Sequence, residues 1–141
     1  MTLTLDSSVV IPALDSSHEA HERVATVLEE AGQVRLTAHV VLETYHVLTR
    51  VRPYRRLPPS AVSSALRSTF PGPLIGLAPE RCLELVERAP ELGIVGGAIF
   101  DAFIAAAAVS SGLKLISRDR RATAVYAILG AQFDLLPEPG Y

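Results

Sequence analysis

Asp6, Glu43, Asp101 and Asp119 stand where a folding chain has least use for a charge. Asp6 closes the run L-T-L, Glu43 interrupts A-H-V-V-L-E-T-Y-H-V-L, Asp101 interrupts A-I-F-D-A-F-I-A-A-A-A-V, and Asp119 follows L-K-L-I-S-R. A carboxylate among apolar groups is penalised unless it is paired, protonated or bound to a metal ion. No equally placed set of cations can pair all four. Taken singly, each has a plain structural use. Asp6 in D-S-S-V and Asp119 in S-R-D-R-R-A are good helix N-caps, and Asp101 and Glu43 fall in early helical turns, where the dipole favours a carboxylate. Their coincidence carries more weight. Two carboxylates about 4 Å apart repel by roughly 4 kcal/mol at an effective dielectric of 20, so a converging set calls for a cation. Hard oxygen donors with open coordination positions suit Mg2+ or Mn2+.

Other polar residues are ranked around this set. Ser7 and Ser117 can position the neighbouring carboxylates, although a hydroxyl beside a helix start also serves as a local cap. Arg50, Arg52, Arg55 and Arg56 around Tyr54 have the composition of a phosphate-binding edge with a stacking ring, or of a solvated loop. Arg118, Arg120 and Arg121 flank Asp119 and are candidates for holding a phosphate or meeting a protein partner. His39, Glu43 and His46 share a helical face, but the H-E-x-x-H pattern and paired cysteines that would favour zinc are absent.

These residues need a scaffold. A chain of 141 residues, 49% hydrophobic, has the usual size of one domain and can bury a core without disulfides. We expect one domain over residues 1–141. The single cysteine, Cys82, excludes an internal disulfide and reads as part of an amphipathic helix. A net charge of -2 supplies no global basic field, so contact with nucleic acid would rest on a local patch. The start M-T-L-T-L-D lacks the basic region of a secretory signal, and the apolar run from Ala102 to Val109 is far short of a membrane span. A soluble cytoplasmic protein with no membrane partner is expected.

Short β-type runs alternate with helical patterns, as in a parallel sheet covered by helices on both faces. The expected strands are Leu3 to Leu5, Val34 to Leu36, Leu74 to Leu77, Leu113 to Ile116 and Phe133 to Leu136. Ser16 and Glu19 have capping-box spacing ahead of the helical repeat Ala20, Val24, Val27, Leu28 and Ala31. Further helices are expected from Ala38 to Arg50, after Ser60, after Pro79, from Ala98 to Ser111, and from Asp119 towards Gly130. Ligands of open α/β sheets bind outside the carboxyl ends of strands, and Asp6 and Asp119 fall at two such ends.

The order D-S-S-V, an isolated Glu in the second main helix, G-G-A-I-F-D-A-F-I-A-A-A-A and L-I-S-R-D-R-R-A resembles the PIN-domain ribonucleases, most closely the toxins of VapC type. The likeness runs over nearly the whole chain. It implies a three-layer α/β fold with a central five-stranded parallel sheet in the order 3-2-1-4-5. It also implies Mg2+- or Mn2+-dependent cleavage of RNA, a cognate antitoxin, and a homodimer, for which the apolar faces of the helix from Ser17 to Ala31 and of the helix after Ser60 offer surface. By matching position Asp6, Glu43, Asp101 and Asp119 take the catalytic acidic roles, with Asp6, Asp101 and Asp119 as metal ligands and Ser117 at a supporting hydroxyl position. The competing expectations are a PIN-like module that binds RNA or protein without cutting, and another Mg2+-dependent α/β protein such as a phosphatase or receiver domain. The phosphatase lacks its D-x-D at Asp6, and the receiver lacks a suitably placed lysine.

Overall fold

The computed structural model describes residues 1–51 and 57–138. In chain order its elements are β1 (Thr2–Leu5), α1 (Ser7–Leu14), α2 (His21–Glu30), β2 (Gln33–Val34), α3 (Ala38–His46), α4 (Pro59–Thr69), α5 (Pro79–Leu92), α6 (Ala98–Ser111), β3 (Lys114–Ser117), α7 (Thr123–Ile128) and β4 (Phe133–Leu135). A wider π-helical turn, Val47–Val51, continues α3. The strands form one sheet in the order β2-β1-β3-β4, and every neighbouring pair is parallel. Helices cover the sheet, so its two central strands are buried on both faces: Leu3, Thr4 and Leu5 of β1 and Leu115, Ile116 and Ser117 of β3 are all buried.

The five-stranded expectation requires correction, since among the described residues four strands form. The stretch Leu74 to Leu77 contributes one parallel bridge, Thr37 with Ile75. It is made by Ile75 N–H donating to Leu36 O at 2.9 Å and Ala38 N–H to Ile75 O at 3.3 Å. Two causes stop it there. Pro71 and Pro73 lack the N–H that a ladder needs, and the facing chain leaves extended geometry directly after Thr37, the N-cap of α3. Leu77 therefore has no strand to pair with, and the order 3-2-1-4-5 lacks its outermost member.

A second correction concerns the start of α2. The Ser16 and Glu19 capping box does not form, because Asp15 lies one residue earlier and its carboxylate accepts from Ser17 N–H at 3.0 Å and Ser17 Oγ–H at 2.6 Å. A turn intervenes, in which His18 Nδ1 accepts from Ala20 N–H, and the helix opens at His21. His21 Nδ1 donates to Pro12 O at 2.7 Å, which ties α2 to α1.

One large core joins the sheet to α1, α2, α3 and α6, and a smaller one gathers Leu85, Ala89, Ile94 and Ala102 between α5 and α6. The alanine-rich stretch of α6 has a use here. Ala102, Ala105, Ala107 and Ala108 are all buried, and small side chains let the helix approach its neighbours closely. Gly112 ends α6 in the left-handed region at φ 67°, where a Cβ would be strained. The apolar stripes expected to leave surface for a homodimer are spent on the core instead: Ala20, Val24 and Val62 are buried, and Leu28 and Leu66 pack against the same cluster. Exposed apolar side chains lie on other elements, Leu42 and Tyr45 on α3 and Leu83 and Val86 on α5.

Candidate active site

The parallel ladder between β1 and β3 extends one bond past β1, from Asp6 N–H to Ile116 O at 3.2 Å. That bond brings the carboxyl end of β1 beside Ser117. Asp6 is then the N-cap of α1, with extended backbone geometry, and Oδ1 accepts from Ser8 N–H at 3.1 Å. Three hydroxyls complete its surroundings. Ser8 Oγ–H donates to Oδ1, Ser117 Oγ–H donates to Oδ2, and Tyr126 OH donates to Oδ2 at 2.7 Å.

The direction of these bonds follows from their neighbours. Ser8 Oγ accepts from Arg118 N–H at 2.8 Å and Ser117 Oγ from Asp119 N–H at 2.9 Å. A backbone N–H can only donate, so each hydroxyl spends a lone pair on it and turns its own proton to Asp6. Asp6 is thereby held as an acceptor. Burial pushes its pKa above the ordinary value, the bonds from Ser117, Ser8 and Tyr126 pull it back, and the charge of Asp119 adds to the rise. The Tyr126 hydroxyl is pushed above its own ordinary value by burial and by the Asp6 charge, which keeps it protonated as a donor.

Asp101 lies half-buried in the first turn of α6. Its pKa is raised to about 6, chiefly by burial and then by the negative charges of Asp119, Asp6 and Glu43, in that order, with His39 opposing. The other three acids therefore all act on the Asp101 carboxyl group. Glu43, on α3, is bound by His39 Nε2 at 3.1 Å, four residues back on the same helix. The His39 ring is stacked on Phe100, with centroids 4.7 Å apart and planes within 2°. Asp119 caps the turn before α7 rather than α7 itself: its Oδ1 accepts from Arg121 N–H at 3.0 Å, and the exposed Arg121 Nε stands 3.7 Å away. Among the described residues no lysine or arginine forms an ion pair with Asp6 or Asp101.

Two site residues were not legible in the sequence. The hydroxyl that reaches Asp6 is that of Ser8 and not of Ser7, because an N-cap carboxylate faces the second residue of the helix it starts. Tyr126 falls within the helix expected from Asp119 towards Gly130 and was not singled out. The available signal was that a tyrosine in the core needs a partner for its hydroxyl, but the partner lies 120 residues away.

The arginines divide. Arg118 has a side chain only 14% exposed; one guanidinium nitrogen donates to Ser8 O at 3.1 Å and the other stands 3.5 Å from Glu138. These contacts brace the Asp6 loop against the chain after β4. Arg120 and Arg50 are exposed. Arg52, Arg55 and Arg56, with Tyr54, lie outside the described residues.

The donor set has the chemistry of a divalent-cation site, all hard carboxylate oxygens. Among the described residues no three histidine, cysteine or carboxylate side chains stand close enough to share one ion. That spacing still fits Mg2+, which keeps several waters and takes one or two carboxylates together with substrate phosphates.

Residues 3–128 match the family model of the PIN domain. Two proteins of Mycobacterium tuberculosis are similar over most of their length. Ribonuclease VapC40 is 34% identical over 131 residues, 93% of this chain and 96% of that protein. Ribonuclease VapC27 is 36% identical over 129 residues, 91% and 92% of the two chains. Among solved structures, FitAB bound to an IR36 DNA fragment aligns over the whole of both chains with a TM-score of 0.70 at 18% identity. VapBC2 from Rickettsia felis, bound to a DNA fragment from its promoter, covers 97% of this chain and 100% of that one with a TM-score of 0.68 at 13% identity. At these identities the structural likeness is one of fold. The chain belongs to the PIN-domain family.

Proposed function

We propose that this chain is a divalent-metal-dependent endoribonuclease that acts as a toxin and is held off by a cognate antitoxin protein. The observation that carries the metal site is the state of Asp101, whose carboxyl is raised to about 6 by burial and by three other acids at the same sheet edge. The ribonuclease activity and the antitoxin are supported by relatives named VapC ribonucleases and by a fold shared with VapBC and FitAB proteins. A bound Mg2+ or Mn2+ would lower the pKa of a coordinated water and offset charge on phosphate oxygens. Asp6 and Asp101 would hold it, with Asp119 adding a further carboxylate at the same edge. Ser8, Ser117 and Tyr126 keep Asp6 oriented as an acceptor. Glu43, fixed by His39, would orient the attacking water or take its proton.

The test needs no knowledge of the RNA target. Thermal midpoints of the wild type and of Asp101→Asn are measured against Mn2+ and Mg2+ concentration. A ligand of the native state adds about 1.4 kcal/mol of stability per tenfold rise above its dissociation constant. The expected result is a rising midpoint in the wild type that is lost in the variant, with the metal-free variant at least as stable as the wild type. No response to either ion, together with a destabilised variant, would overturn the reading and leave the acids as structural caps.

A further inference from the structure

His39 fixes Glu43, but the stacking of Phe100 on the His39 ring has no role in the chemistry above, and its placement calls for one. Phe100 is among the large apolar side chains left in solvent, 53% exposed, at the start of α6, next in sequence to Asp101. Its ring lies flat against His39, within the distance range of favourable aromatic stacking. The imidazole is itself held, because Nε2 is engaged by the Glu43 carboxylate at 3.1 Å. Two helices, α3 and α6, thus fix a two-ring stack in which one ring is held by Glu43 and the other is next in sequence to Asp101, and the exposure of Phe100 leaves it open to a third ring.

We propose that this pair is a stacking platform for a nucleobase of a single-stranded RNA, next to the phosphate that is cut. The inference rests on the reading of the site as a nuclease and adds to it the means of holding the substrate. Electrostatics favours it. The chain carries a net charge of -2, and the carboxylates of the site repel phosphates except where a bound cation offsets them, so a contact indifferent to charge adds affinity that the acids cannot supply. Stacking is such a contact. Every base has a π face, and an aromatic platform contributes about tenfold or more in affinity per base.

The test uses a short fluorescein-labelled oligoadenylate with phosphorothioate linkages, and a second oligomer of the same length made abasic. Binding to the full chain is followed by fluorescence anisotropy with Mn2+ present, and Mn2+ binding is followed separately by the thermal midpoint. Phe100→Ala is expected to weaken the oligoadenylate about tenfold, leave the abasic oligomer and the Mn2+ response unchanged, and be rescued by Phe100→Tyr. The proposal fails if Phe100→Ala binds oligoadenylate as the wild type does, which would turn the exposed ring over to a protein partner. It also fails if both oligomers weaken equally, since the role is then structural, or if the wild type binds Mn2+ but no oligoadenylate. A wild type with no Mn2+ response brings down the nuclease reading itself, a result that none of the other arms produces.

Discussion

Asp101 is the residue whose behaviour most directly reports the acidic cluster. Its pKa in the folded chain, about 6, stands above the ordinary value of 3.8, so between those limits the native state binds more protons than the unfolded one. Stability must then fall as pH rises from about 4 to about 6 and level off above, by the linkage between proton uptake and folding. Asp101 is only half-buried, and solvent screening reduces the effect to about 1 kcal/mol. Urea unfolding in a chelating buffer across this range should show the decline in the wild type and a smaller one in Asp101→Asn. Asp6, also raised, retains its share of the decline in both proteins. Equal slopes would mean that Asp101 does not feel its neighbours. Its location was legible in the sequence because a charge inside A-I-F-D-A-F-I stands out. The order in which its neighbours act on it was not, since Asp119, Asp6 and Glu43 come from three separate parts of the chain.

At the scale of elements, the site is a meeting of strand ends and helix starts. β1 ends at Asp6, β3 ends at Ser117, α6 opens near Asp101, and α7 returns Tyr126 to Asp6. That last contact makes α7 more than a cover for the sheet. Tyr126→Phe keeps the ring and removes one donor from a buried carboxylate, so it should cost about 1–2 kcal/mol, at the low end for bonds to charged groups because Ser8 and Ser117 remain. It should also raise the Mn2+ concentration at the thermal midpoint, as Asp6 moves further towards its protonated form. A variant with unchanged stability and metal response would reduce Tyr126 to packing. Element-scale reading from sequence succeeded where a stop signal was clear, as in α6, which ends at Gly112. It erred where local signals competed. Asp15 outbid Ser16 as an acceptor, and prolines around Leu74 left one bridge where a strand was expected.

For the whole molecule, the balance of charge sets how RNA is met. With a net charge of -2 and no basic field, long-range attraction cannot supply affinity in the way it does for strongly basic nucleic-acid binders. Removing divalent ions should therefore abolish RNA binding as well as cleavage, and a gel-shift or anisotropy titration in chelator measures this. Binding that persists undiminished without metal would place the phosphate contacts elsewhere, on the arginines around residues 50–56. Among the described residues no helix is long and apolar enough to cross a membrane.

Composition and periodicity by themselves determined that strands and helices alternate, that the sheet is parallel, and that four carboxylates interrupt apolar runs. These are properties of neighbouring residues, and side-chain chemistry at short range is enough to specify them. Only the tertiary structure decided that Ser8 and Tyr126 hold Asp6, that Arg118 is spent on bracing a loop, that the outermost strand shrinks to one bridge, and that His39 stacks on Phe100. Each of these depends on where distant segments meet. That is set by how the whole core closes, and no local pattern along the chain records it.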